Sequence, residues 1–584
     1  MLAAAAVGGW LLYRALEIRS EVESVTSLVS EFKYSLLAHD DAAARLTLAQ
    51  LQDHIGRARS AATDPLWKAA GSVPGVGANF SVVSELVLSA DDVVNGAAQP
   101  LLSAYSSLDW KSLKPVEGKF DVSALAASSP SIVAAANTVD LTYTRLAGIE
   151  DEGLLPAVAL PLADVRNTLH DLRRSLNTAA DTSRILPNMM GTAGARNYLV
   201  LIQNNAEIRA TGGLPGALAV LRVEDGTVSL AAQSSGAALG KFSPPVDVDS
   251  AQSTIYSKRL GAYISDVNLT PDFPTAAKTA KSMWETRHGT PIDGVIALDP
   301  VVLAHILKAS GPVSIPSVDP ELDSRLPRVL DGGNVVKVLL SDVYSSARTN
   351  ELQDAYFASV SKAIFSLLSS GKVQSDLLLS AFTKSAEEHR LLVWSGYPDE
   401  QDVLQNTPVG GSISGPAVGG ASFGVYFNDG TGAKMDYHVR RTVQLIGTCT
   451  TGDYTDYKVK VTLANTAPPD AATSLPKAVT GGGSFGTPAG SIQTNVVVYG
   501  PALSHLDTAL QDKGQVAFGS YLHKDRPVGV VTTRLAAGES TELELTFGRV
   551  VQKTDPVVVV TPTVQEVNDV LIRTERFDCS TAIK

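Results

Sequence analysis

A chain of 584 residues is too long for a single hydrophobic core and predicts several domains. With 44% hydrophobic and 18% charged residues, its composition is globular and excludes intrinsic disorder. The formal net charge of -12, with no basic stripe to neutralise phosphates, argues against a nucleic-acid partner.

The chain opens on an uncharged apolar run, Leu2 to Tyr13, followed by Arg14, Glu17 and Arg19. This is shorter than the roughly 20 residues a spanning helix needs, and no basic residues precede it. Two readings fit: the start of a buried helix, or the remainder of a membrane anchor over residues 1–18. Trp10 and Tyr13, residues typical of a membrane interface, favour the anchor. That reading makes the protein a single-pass protein of the cell membrane, with the bulk of the chain extracytoplasmic.

Residues 19–190 are predicted to form a helical bundle or stalk. Val22, Val25, Leu28, Val29, Phe32 and Leu36 recur at three- and four-residue steps. Asp64-Pro65 and Val73-Pro-Gly-Val-Gly77 mark helix ends, and further helices are expected near 82–98, 131–149 and 161–180. These stripes read as packing without chemistry.

Residues 191–397 alternate strand-like and helix-like segments, which predicts a central α/β domain in a multidomain α+β chain. Tyr198 to Ile202 and Leu218 to Val223 are apolar, β-favouring runs. Between them lie Gln203, Asn204, Asn205, Glu207, Arg209, Thr211, Gly212 and Gly213, a polar cluster placed where a sheet end offers a ligand site. Ile292 to Leu298 is a further strand and Thr275 to Arg287 a helix, with Asp272 and Thr275 near its capping position. Residues 398–425 are dense in Gly and Ser and read as a linker. Residues 426–584 carry six strand-like runs separated by turns, from Thr442–Ile446 to Val557–Thr561, and predict an antiparallel β-sandwich.

Only two cysteines occur, Cys449 and Cys579. They suit either a reducing compartment or one disulfide in an exported protein. As a disulfide they would close more than a hundred residues, a contribution of about 4–5 kcal/mol in the chain-entropy model. No Cys-x-x-Cys, His cluster, Gly-x-Ser-x-Gly or P-loop is present.

Each polar residue of the cluster has two uses. Glu207 and Arg209, two apart, would share one face of a strand, as a local ion pair or as ligand contacts. Asn204 and Asn205 suit sugar hydroxyls, phosphate or backbone capping. Gly212 and Gly213 allow a turn or close approach of an anion. Asp266, Asn268 and Asp272 form an oxygen-rich patch fit for a hard cation, and Asp293 heads a strand.

The segment from Asn197 through Gln203-Asn-Asn-Ala-Glu-Ile-Arg-Ala-Thr-Gly-Gly213 resembles the signature of domain-of-unknown-function family 4012, bacterial envelope proteins with many members in actinobacteria. Thr270-Pro-Asp-Phe-Pro, Ile292-Asp-Gly-Val-Ile-Ala-Leu-Asp-Pro, Trp394-Ser-Gly-Tyr-Pro and Asn428-Asp-Gly-Thr-Gly-Ala-Lys-Met-Asp-Tyr resemble it too. The order strand, Gly-rich loop, strand, then Ile292-Asp-Gly-Val and Gly311-Pro-Val, is also similar to the LytR–CpsA–Psr family. Its members move glycopolymers from a polyprenyl-pyrophosphate carrier to a cell-wall polymer. That similarity implies phosphate-holding, catalytic roles for Arg209 and Arg348. It implies Mg2+ at Asp266 or Asp293, and the polar residues Asn204, Asn205, Glu207, Thr211, Gly212, Gly213 and Asn268 are the expected ligand-binding pocket. One departure stands out: where that family carries an Arg-Asp pair, this chain has Ala232-Gln-Ser-Ser-Gly-Ala237, so the fold can be shared while the catalysis is absent. The expected function is glycopolymer or exopolysaccharide assembly, by binding or transfer of a polyprenyl-pyrophosphate-linked glycan; the alternative is a non-catalytic envelope scaffold or a glycan- or protein-binding module.

Overall fold

The computed structural model describes residues 2–38, 40–107, 119–371, 373–415, 418–448 and 454–576. The protein is a mixed α+β chain that divides into two compact units, Met1–Leu113 with Asp121–Met190, and Lys114–Phe120 with Gly191–Lys584. Cys449 and Cys579 lie outside the described residues.

The first unit is helical: α1 (Leu2–Leu37), α2 (Asp41–Ala62), α3 (Pro65–Gly71), α4 (Gly77–Val93), α5 (Gln99–Ser107), α6 (Ser123–Ala147) and α7 (Pro156–Met189). Aspartates start two of these helices. Asp40 accepts the Ala43 N–H at 2.9 Å, and Asp64 accepts that of Leu66 at 2.9 Å, just ahead of Pro65. Ile18, Leu48, Leu51, Ile55, Trp67 and Val87 form one core of the unit; Val82, Ile132, Val139, Leu162 and Leu176 form a second.

The division expected near residue 18 falls inside α1, because Leu11, Ile18, Val25, Phe32 and Leu36 pack along the same core. Trp10 donates its indole N–H to Asp64 at 3.2 Å, and Arg14 pairs with the same carboxylate at 3.2 Å. Among the described residues, no helix is long and apolar enough to cross a membrane.

The second unit starts with a five-stranded mixed sheet. Its strands are β1 (Arg196–Asn204), β2 (Leu214–Glu224), β3 (Thr227–Ser235) and β4 (Gly294–Leu298). After a two-residue ladder of β5 (Val313–Ser314) with β6 (Val329–Leu330), β7 (Leu392–Ser395) completes it in the order β3-β2-β1-β4-β7. Only β1 and β4 are parallel. Alternation along the strands sends Leu199, Leu201, Leu218, Val220 and Val295 into a core with Phe273, Ala277, Met283 and Trp284 of the helix Phe273–His288. Asp272 caps no backbone N–H of this helix; its carboxylate accepts the Thr275 hydroxyl at 2.5 Å and the Ile413 N–H at 3.4 Å.

Two further sheets face one another across a large core. They comprise β8 (Ser422–Asp429), β9 (Val439–Thr448), β10 (Thr455–Asn465), β11 (Ile492–Tyr499), β12 (His505–Gln511), β13 (Gly514–Gln515), β14 (Gly519–His523), β15 (Arg526–Leu535), β16 (Ser540–Val550), β17 (Val557–Val560) and β18 (Leu571–Arg576). One sheet has the order β13-β12-β16-β10-β9-β18, the other β14-β15-β11-β8-β17. Phe423 and Phe427 from the second meet Tyr457, Val459 and Phe547 from the first.

The strand pairing departs from a purely antiparallel sandwich at one edge of each sheet, where β17 runs parallel to β8 and β18 parallel to β9. The Gly- and Ser-rich stretch 398–425 contains the helix Pro398–Leu404 and the start of β8. Every residue of β8 is buried, because Phe423, Val425 and Phe427 fill the core between the sheets while Tyr426 packs on the opposite side with Tyr256 and Tyr499.

Candidate functional site

The polar cluster after β1 is a loop whose backbone and side chains are bonded on both flanks. Asn204 Oδ1 accepts the Ala206 N–H at 3.0 Å, which turns the chain out of the strand, and its amide donates to the Tyr344 hydroxyl at 2.7 Å. Gln203 donates to Thr211 Oγ1 at 2.9 Å, and Asn268 donates to the same oxygen at 2.9 Å and to the Gly213 carbonyl at 2.7 Å. Gly213 is required for close approach: a Cβ there would lie 2.2 Å from the Asn204 carbonyl carbon. Gly212 adopts φ +134°.

The middle of the loop is held by the sandwich. Ile208 N–H donates to Asp436 at 3.1 Å and Ala210 N–H to Asn428 at 3.0 Å. In return Asp436 N–H donates to the Ala206 carbonyl at 3.1 Å and Asp429 N–H to the Ile208 carbonyl at 2.9 Å. Thr561 Oγ1 donates to the Ala210 carbonyl at 2.9 Å. Asn205 donates to Asp299 at 3.0 Å, and Asp299 also accepts from the Val301 and Val302 N–H groups and from Arg390. Arg390 is fully buried and donates further to the carbonyls of Thr563 and Gln565 at 2.9 and 3.0 Å.

Arg209 belongs to this framework. Its side chain is 8% exposed, pairs with Asp266 at 3.3 Å and lies 3.9 Å from Asp429. Two backbone carbonyls, of Ile208 and Ser265, accept its other donors at 3.0 and 3.3 Å. Asp266 is shared with Arg259 at 2.7 Å. Glu207 and Arg209 do not pair: the segment is a turn, so the two side chains diverge, and Glu207 bonds Lys434 at 2.9 Å. Arg348 lies elsewhere, at the surface, paired with Glu321 at 2.5 Å. Asp293 accepts the Asn197 N–H and the Tyr397 hydroxyl, each at 2.8 Å, under the Arg196 guanidinium. Among the described residues no three His, Cys, Asp or Glu side chains converge as a metal site. Asp266 and Asp293 are thus separately engaged by arginine, tyrosine and backbone donors.

Two acids of the junction are electrostatically perturbed. Burial, aided by neighbouring Asp436 and opposed by Arg209, pushes the Asp429 carboxyl up to about 7. Burial also raises Asp436, against the pull of Arg441, which bonds it directly.

Residues 193–344 match a family profile described as protein of unknown function, DUF4012. This segment belongs to that family. It comprises the loop just described and most of the central sheet. No curated protein matches the chain.

Beside the DUF4012 loop, an open groove runs between the sheet and the helix Asn350–Ser369. One compartment, of about 290 Å3, is lined by Ile202, Ala217, Ser235, Asp354, Phe357 and Ala358, among others. An adjoining compartment, of about 150 Å3, adds Asn204, Glu207, Gln353, Tyr344 and Lys434. Ile202, Ala217 and Ser235 are direct cross-strand neighbours on β1, β2 and β3, so they form one row of the groove floor. The Lys434 ammonium sits 4.8 Å from the Tyr344 ring centre. Of the residues expected to bind a ligand, Asn204 and Glu207 line this groove, whereas Asn205, Arg209, Thr211 and Asn268 are buried in the loop framework. Sequence reasoning did not place Asp354, Phe357 or Lys434 at a site; for Asp354 and Phe357 the one signal was the helical pattern that puts them, with Ala358, on one face.

Proposed function

We propose that this chain is a binding protein of bacterial envelope glycopolymer assembly that receives a glycan, or its polyprenyl-linked precursor, in the groove beside the DUF4012 loop, without transferring it. The observation that carries the reading is the state of Arg209. Its guanidinium is engaged by two carboxylates and two carbonyls in the framework, so it serves the fold rather than a pyrophosphate. The groove is lined by Asn204, Glu207 and Lys434, which present hydrogen-bonding groups beside an apolar floor, the usual make-up of a small-molecule site. The family resemblance supports the envelope location.

The test is a titration of the purified chain with a polyprenyl pyrophosphate that bears a glycan and with the bare lipid pyrophosphate, each with and without magnesium. Binding that requires the glycan and ignores magnesium is expected. Magnesium-dependent binding of the bare lipid, lost in a normally folded Arg209→Ala variant, would overturn the reading in favour of a phosphotransferase.

A further inference from the structure

Three features of the 290 Å3 compartment restrict its ligand. Its volume, about 290 Å3, lies just below the roughly 300–1,000 Å3 typical of small-molecule pockets and accommodates one ring-sized group. Its walls divide by chemistry. Ile202, Ala217, Phe357 and Ala358 are apolar, while Gln233, Ser234, Ser235, Asp354 and Ser361 offer amide, hydroxyl and carboxylate groups. Its charge is acidic: Asp354 borders both compartments, and in the neighbouring one the Glu207 carboxylate is already neutralised by Lys434.

From this juxtaposition we infer that the compartment is a subsite for a single uncharged, hydroxyl-rich sugar ring of the glycan. The inference rests on the proposed glycan-binding function. An apolar face of the ring lies against Phe357 and the alanines, and its hydroxyls donate to Asp354 and exchange hydrogen bonds with Gln233 and the serines. The Asp354 carboxylate selects against anions: a phosphate or uronate entering the groove meets a like charge on its rim. Burial raises the Asp354 carboxyl from its ordinary value and the Ser235 hydroxyl opposes that rise, so the acid already has one donor in place.

Ligand-observed NMR on the full chain tests this with the methyl glycosides of glucose, galactose, mannose and N-acetylglucosamine, beside methyl glucuronide and methyl galacturonide. At least one neutral glycoside is expected to bind, and its uronide to bind at least about tenfold more weakly. Asp354→Asn should remove that discrimination. Ala358→Trp, which fills the groove from the helix side, should abolish binding while leaving the unfolding midpoint in place. Equal or tighter binding of the uronides, or no binding of any neutral glycoside, overturns the subsite. If the glycan-bearing lipid still binds the Ala358→Trp variant, the proposed function stands and only this assignment falls.

Discussion

Asp436 and Ile208, 228 residues apart, are joined directly: Asp436 accepts the Ile208 N–H at 3.1 Å, and its own N–H donates to the carbonyl of Ala206, two residues earlier, at 3.1 Å. The same carboxylate holds Arg441, whose side chain is fully buried over the Phe427 ring. Removing the acid therefore orphans a backbone donor and a buried guanidinium together. Asp436→Ala should lower the stability of this unit by about 3–5 kcal/mol, the range for breaking one partner of a buried pair. Urea unfolding followed by tryptophan fluorescence reads the effect, and a loss below about 1 kcal/mol would show that the contact is dispensable.

Gly213 and Gly216, three residues apart, separate steric need from mere glycine content. An alanine Cβ at 213 would sit within 2.2 Å of the Asn204 backbone, whereas at 216 the nearest atom lies 3.9 Å away. Gly213→Ala should unfold the loop or cost more than about 2 kcal/mol, and Gly216→Ala should stay within about 1 kcal/mol of the parent. Melting curves of the two variants, recorded side by side, decide the matter.

The two arginines expected to hold phosphate should differ in stability rather than in chemistry. Arg348 is two-thirds exposed in a single surface pair with Glu321, so Arg348→Ala should change stability by no more than about 1 kcal/mol. Arg209→Ala would leave Asp266 and Asp429 without their shared cation and should cost about 3–5 kcal/mol. Equal melting temperatures for the two variants would contradict the framework role of Arg209.

Asp429 makes a pH prediction whose sign follows from proton counting. Its folded carboxyl titrates at about 7, above the roughly 3.9 of an unfolded aspartate. Between those values the folded state keeps a proton that the unfolded chain has released. The contribution of Asp429 thus favours folding at the acid end and is lost as pH rises through about 4 to 7. Urea midpoints at pH 5 and pH 8 should differ less in Asp429→Asn than in the parent; an unchanged difference would remove Asp429 as the source.

The local grammar of the fold was legible. Tyr198 to Ile202 announced β1 by its β-branched and apolar run, and Asp64-Pro65, expected to mark helix ends, falls where α2 has just closed and α3 begins. What was hidden is the set of partners. Nothing near Arg209 in sequence indicates that its carboxylates come from residues 266 and 429, or that Asn205 is held by Asp299 and the Pro562 carbonyl. Density of polar residues looks alike in a ligand site and in a buried joint, because both demand complete hydrogen bonding. The glycines before β8 obscured a fully buried strand for a related reason: propensity describes an isolated segment, whereas Phe423, Val425 and Phe427 are placed by the sheets on either side.

The parallel pairing of β17 with β8 bears on how the polypeptide reaches its final form. The Thr561 bond to Ala210 spans 351 residues and the Arg390 bond to Thr563 spans 173, so the DUF4012 loop cannot acquire its full set of partners during early synthesis. A ribosome would expose β1, its loop and β8 well before the segment that secures them. Such high contact order predicts slow maturation and a period in which the edge of β8 is open to mispairing, a stage at which a chaperone would act.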